Sequence, residues 1–154
     1  MKRRAGLGVG RAFVAVLLVT SKAAFAQTIV VVGAPILHIT TAVAGSNPTP
    51  VSDALSTYTV VTPTAGNNTY KVTAQLNAAM PAGTTLTMTL ASPAGGGTST
   101  GAVALDMTAR DMVTGIPKKQ NSTQGVTYQF SATAAAGVIP VTSRTVTLTI
   151  LKFP

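Results

Sequence analysis

Thr145-Val146-Thr147-Leu148-Thr149-Ile150 alternates hydroxyl and apolar side chains without a break, and Thr85-Leu86-Thr87-Met88-Thr89-Leu90 does the same. Successive side chains of a strand point to opposite faces, so a period of two gives one face to bury and one to hydrate; a helix would scatter both sets around its circumference. Threonine suits such a strand because its branched Cβ is already stiff in the rotamers that a pleated sheet favours. The alternation recurs at 70–76 and 126–131, and less cleanly at 36–43, 57–61 and 102–108. Turn-forming stretches separate these segments: Gly45-Ser46-Asn47-Pro48, Pro63 to Asn68, Met80-Pro81-Ala82-Gly83, Pro93 to Gly97, and Gly115-Ile116-Pro117 onward to Gly125. Such residues supply positive φ, fixed φ or side-chain hydrogen bonds, and they interrupt helices. Seven short half-buried strands predict an all-β, immunoglobulin-like antiparallel β-sandwich of about seven strands, with an antiparallel barrel as the alternative. The predicted core is Val60, Tyr70, Val72, Leu76, Leu86, Met88, Leu90, Val103, Leu105, Tyr128, Phe130, Val146, Leu148 and Ile150.

Ahead of this pattern lies a different kind of sequence. Lys2, Arg3, Arg4 and Arg11 form a basic start, residues 12–19 an apolar run, and Ala24-Phe25-Ala26 an A-x-A cleavage site. Together they predict a signal peptide over 1–26, an N-terminal extension or first strand over 27–35, and a sandwich domain over 36–154. The expected location is extracytoplasmic: periplasm, cell surface or secreted. The apolar run is too short to cross a bilayer, which takes about 20 residues. Without any Cys the chain offers no lipid attachment at its cleavage site. Removal of 26 of the 154 residues leaves 128, enough for one domain to bury a core without disulfides.

The formal charge of +8 belongs largely to the leader. Residues 27–154 hold six Lys and Arg against three Asp, a net +3, and the cations are scattered. Nucleic-acid binders gather such charges on one face, so nucleic acid is not an expected partner.

Catalytic and metal-binding patterns are not apparent. His38 is the one histidine, and alternation sets it on the face opposite Leu37 and Ile39. No Gly-x-Ser-x-Gly elbow accompanies it. Asp53, Asp106 and Asp111 are the only carboxylates, too few for a calcium cage of six to eight oxygens. Asp106 is expected to face solvent from its strand, and Asp111 to cap a turn or pair with Arg110. A sugar platform of exposed rings has no Trp to build on, and Tyr58, Tyr70, Tyr128 and Phe130 fit core positions. Lys118 to Thr123 reads as a solvated loop tip. The expectation is a protein that is not an enzyme and carries no cofactor and no metal.

The segment Thr28, Ile29, Val30, Val31 and Val32 is the candidate strand-pairing site. Five consecutive strand-formers at a fresh N-terminus admit three readings: the first strand of the sandwich, a disordered or partly uncleaved flank, or a strand added to the sheet of another subunit. Strand addition between identical subunits would build an open head-to-tail filament.

Tyr58-Thr59-Val60, Lys71-Val72-Thr73-Ala74-Gln75-Leu76, Met80-Pro81-Ala82-Gly83-Thr84-Thr85-Leu86 and Arg144 to Ile150 together resemble the layout of secreted pilin-like sandwiches of the spore-coat-U type. The resemblance implies an exported immunoglobulin-like fold and, as in some members, assembly by donor-strand exchange. The chain departs from that family in having no Cys and no Gly-Tyr pair leading into its Thr/Val strand. The expected function is a secreted non-enzymatic structural or adhesive surface protein, a fibre subunit assembling by β-strand addition, with self-association or a periplasmic chaperone as partner. The alternative is a monomeric secreted β-sandwich binding module.

Overall fold

The computed structural model describes residues 12–18, 27–43 and 45–153. The basic start and the Ala24-Phe25-Ala26 site lie outside the described residues. The described residues form eleven strands: β1 (Ala12–Leu18), β2 (Thr28–Val32), β3 (Ile36–Leu37), β4 (Val51–Val61), β5 (Thr69–Leu76), β6 (Thr84–Leu90), β7 (Thr98–Ser99), β8 (Val103–Ala104), β9 (Arg110–Ile116), β10 (Asn121–Ala132) and β11 (Thr142–Phe153). They build two sheets, in the orders β3-β1-β11-β5-β9-β7 and β2-β4-β10-β6-β8. Every pairing is antiparallel except that of β1 with β11. The sandwich is thus the architecture adopted, rather than a barrel.

The alternation read from the sequence is the alternation of burial. In β6, Leu86, Met88 and Leu90 are buried while the intervening threonines are partly or fully exposed. In β11, Val146, Leu148 and Ile150 are buried in the same manner. Of the predicted core only Val103 falls short of full burial, and it still packs against the cluster. The core also takes Ile29, Leu37, Tyr58, Ala74, Met112, Val113, Ile116 and Val126.

Several strand boundaries differ from the sequence reading, for local reasons. The segment 36–43 keeps only Ile36–Leu37 as strand, because β3 pairs with β1 at those two residues alone. The segment 102–108 keeps only Val103–Ala104, since the Asp106 carboxylate accepts the Thr108 amide at 2.8 Å and turns the chain. β9 includes Gly115 and Ile116, which read as a turn. Its register against β5 shifts twice, and Met112 and Val113 are both buried, so the period-two signal is broken there.

The N-terminal strand of the sandwich changes sheets. β2 lies on one sheet at the edge of β4, and β3 lies on the other. Between them Gly33 has φ +112, and a Cβ there would stand 2.5 Å from the Ser56 hydroxyl. Only glycine passes this corner without displacing β4. Pro35 then leads the chain into β3.

Candidate functional site

The feature that sets this sandwich apart lies beside β11. In an immunoglobulin-like sandwich, strands A, B, E and D form one sheet and C, F and G the other. Here β2-β4-β10-β6 follows the order A-B-E-D, while β5 and β11 stand where C and F stand. The place of G, on the far side of β11 from β5, is taken by β1. From Gln27 onward, no described strand other than β5 pairs with β11.

The geometry of this slot follows from its walls. One wall is β11, whose residues 142–148 pair in parallel with residues 12–18, placing Val16 opposite Val146 and Leu18 opposite Leu148. The other is β3, where Phe13 pairs with Ile36 and Ala12 with Leu37. Leu37, Val146 and Leu148 are all buried in the core. Among the described residues β3 has no strand partner besides β1, so the occupant of the slot is what ties β3 into its sheet. Without a strand there, two rows of backbone donors and acceptors would be unpaired, a template for another chain.

The segment singled out in the sequence for strand pairing lies elsewhere. Thr28, Ile29, Val30, Val31 and Val32 form β2, paired antiparallel within the chain to Val61, Val60, Thr59, Tyr58 and Thr57 respectively. Ile29 is buried and Val31 partly so, whereas Val30 and Val32 face outward at 43 % and 65 % exposure. Gln27 adds a side-chain bond to the Ile150 carbonyl at 3.2 Å, fastening the start of β2 to β11 in the opposite sheet. This stretch is therefore a sandwich strand of its own subunit. The strand beside β11 in its sheet is instead β1. The signal for this strand was present at 12–18, because a continuous apolar run of this length fits a buried strand as well as it fits a leader.

The titratable groups are dispersed. Asp106 pairs with Arg110 and so is held below the usual carboxylate range, first by the guanidinium hydrogen bond and then by the Thr108 amide. Asp111 pairs instead with Lys71 at 2.9 Å. Adjacent residues of a strand face opposite ways, so Arg110 and Asp111 cannot share a face; Lys71 lies diagonally across from Asp111 on β5. Asp53 accepts the Leu55 amide at 3.2 Å. His38 is partly buried, with no hydrogen-bond partner on Nε2. Among the described residues no three His, Asp or Glu side chains gather where a metal could be held.

Of the predicted loop tip, Lys118 bonds the Asn67 amide oxygen at 3.2 Å. Gln120 is buried, its backbone N–H donating to the Thr62 hydroxyl at 2.9 Å, and β10 begins at Asn121. An open hollow of about 460 Å³ lies among Asn47, Pro48, Thr85, Ser131 and Thr133, and neither a charged group nor an aromatic ring lines it. Two core tyrosines differ in partnering. The Tyr58 hydroxyl donates to the Ala91 carbonyl, and burial pushes its pKa up to about 12. Burial, with Asp53 nearby, also raises that of Tyr128, whose hydroxyl has no partner among the described residues.

No protein-family model matches this chain, and no curated protein matches it in sequence.

Proposed function

We propose that this chain is a secreted, non-enzymatic structural or adhesive subunit that assembles by β-strand addition, its slot between β3 and β11 receiving a strand from a second copy. The observation that carries this reading is the identity of the strand beside β11. The occupant, Ala12–Leu18, belongs to the stretch that the sequence marks for removal after Ala26. A processed chain retains β11 and β3 but has lost the strand between them. Such an edge, walled by Leu37, Val146 and Leu148, gains both backbone hydrogen bonds and apolar burial from an added strand. The resemblance to spore-coat-U type sandwiches points the same way. The dispersal of the carboxylates and the featureless lining of the hollow favour assembly over catalysis or small-ligand binding.

The experiment is to recover the exported protein, sequence its N-terminus and measure its mass in solution by light scattering. The reading expects a start at Gln27 and multiples of the subunit mass that grow with concentration. An exported chain that starts at Gln27 and stays monomeric at every concentration would favour the monomeric binding module instead.

A further inference from the structure

The strand Ala12–Leu18 is inserted in its sheet rather than hung on its edge. All seven of its residues pair with β11 without a register shift, and the first two pair also with β3 on the other side. Its sequence, Ala-Phe-Val-Ala-Val-Leu-Leu, contains no polar side chain, as suits a strand placed between two others. Its alternate positions Val16 and Leu18 stand in register with buried Val146 and Leu148. The connection is long enough: nine residues separate Leu18 from Thr28. Extended, they reach roughly 30 Å, against the ~10 Å that separates two packed sheets. β1 and its parallel neighbour β11 lie at opposite ends of the chain, so no tight hairpin has to join them.

We propose that the leader strand is the chain's own cap: in the uncleaved chain Ala12–Leu18 fills the slot beside β11 and closes the subunit, and cleavage after Ala26 removes the cap and opens the slot. The same apolar run thus has two exclusive fates. Drawn into the sheet, it is withdrawn from any membrane or export machinery; held by that machinery, it leaves the sheet incomplete. A precursor that folds before export hides its own address and stays monomeric. A chain that is exported first folds with its slot open. The proposal rests on the assembly reading only for what enters the slot after cleavage; the cap stands on the pairing of β1.

The test uses the full chain, which has no native Cys. Val16→Cys combined with Val146→Cys places two thiols on registered neighbours, whose Cα separation in a sheet falls within the ~4.4–6.8 Å that a disulfide spans. Leu18→Cys with Thr142→Cys is the out-of-register control. Oxidation should join residues 16 and 146 within one chain, with no cross-linked species of mixed label when ¹⁵N and unlabelled chains are combined, and should not join the control pair. A folded chain in which 16 and 146 stay reduced, or join only between chains, overturns the cap. Should the cysteine variants not fold, the chain carrying Val16→Asp and Leu18→Asp decides. Faster exchange of the Arg144, Val146 and Leu148 amides, which alternate with the Thr145 amide bound to Asn77 and so face β1, than in the unmodified full chain, with β4 and β10 still protected, supports the cap, and unchanged exchange there overturns it. The two readings fail separately. A full chain that cross-links as expected, beside a processed chain that stays monomeric, keeps the cap and removes assembly. A processed chain that assembles, beside a full chain that does not cross-link, does the reverse.

Discussion

Removing one hydroxyl from each of two buried tyrosines should move stability in opposite directions. Tyr58 and Tyr128 are both fully enclosed residues of adjacent strands, β4 and β10. The Tyr58 hydroxyl donates to the Ala91 carbonyl, whereas that of Tyr128 is enclosed without a partner. A satisfied intramolecular hydrogen bond contributes about 0.5–1.5 kcal/mol net, and an unsatisfied buried donor is unfavourable by about 1–3 kcal/mol. Tyr58→Phe should therefore lower stability by about 1 kcal/mol. Tyr128→Phe leaves the ring in place and removes the orphan, so it should raise stability by about 1 kcal/mol. For a urea dependence of about 2 kcal/mol per M, the two midpoints should lie roughly 1 M apart, on either side of the unmodified chain. Urea unfolding followed by far-UV circular dichroism measures this directly. A midpoint for Tyr128→Phe as low as that of Tyr58→Phe would mean that the Tyr128 hydroxyl has a partner in solution, and the packing around β10 described above would be wrong.

Three further outcomes follow from the same core. Because burial raises the pKa of both tyrosines above the unfolded value of 10.0, the folded chain keeps its protons where the unfolded chain loses them. Stability is thus fully present below pH 10.0 and should fall as pH rises toward about 12, as an alkaline series of urea titrations will show. Leu148→Ala opens a cavity between β5 and the slot and should destabilise by about 2–5 kcal/mol, a large part of the ~5–15 kcal/mol available to a domain; calorimetry should show a loss of roughly 10 °C in Tm, and a shift under about 2 °C would place Leu148 outside the core. Gly33→Ala forces a side chain onto Ser56 at positive φ and should destabilise by more than ~1 kcal/mol in urea; an unchanged midpoint would remove the argument for the sheet-switching corner.

Strands with unbroken alternation were legible in the sequence. Thr85 to Leu90 and Thr145 to Ile150 each have one face against the core, so hydrophobic period and burial coincide. Where the pairing is irregular, the pattern failed: β9 buries Met112 and Val113 in succession across register shifts, and no period of two survives. Asp106 ended a predicted strand through a side-chain bond to Thr108, an effect of one carboxylate that periodicity does not register. Of the three readings of Thr28–Val32, the first strand of the sandwich is the one the fold adopts. Thr28–Val32 has the composition of an adding strand but is committed to β4, because its alternate residues Ile29 and Val31 meet the core of its own subunit. The slot beside β11 depends on which strands become neighbours in space, and that information is split between Leu37 near one end of the chain and Val146 and Leu148 near the other.

The most direct measurement of the central claim is amide hydrogen exchange of Arg144, Val146 and Leu148 in the processed chain, whose N–H groups alternate with the Thr145 amide that donates to Asn77 and so face the slot, followed as its concentration is raised. Assembly through the slot predicts fast exchange there in dilute solution. It then predicts protection that appears together with the increase in mass, while β4 and β10 remain protected throughout. Exchange of these three amides that is slow in the dilute monomer, or that stays fast while larger species form, would contradict it.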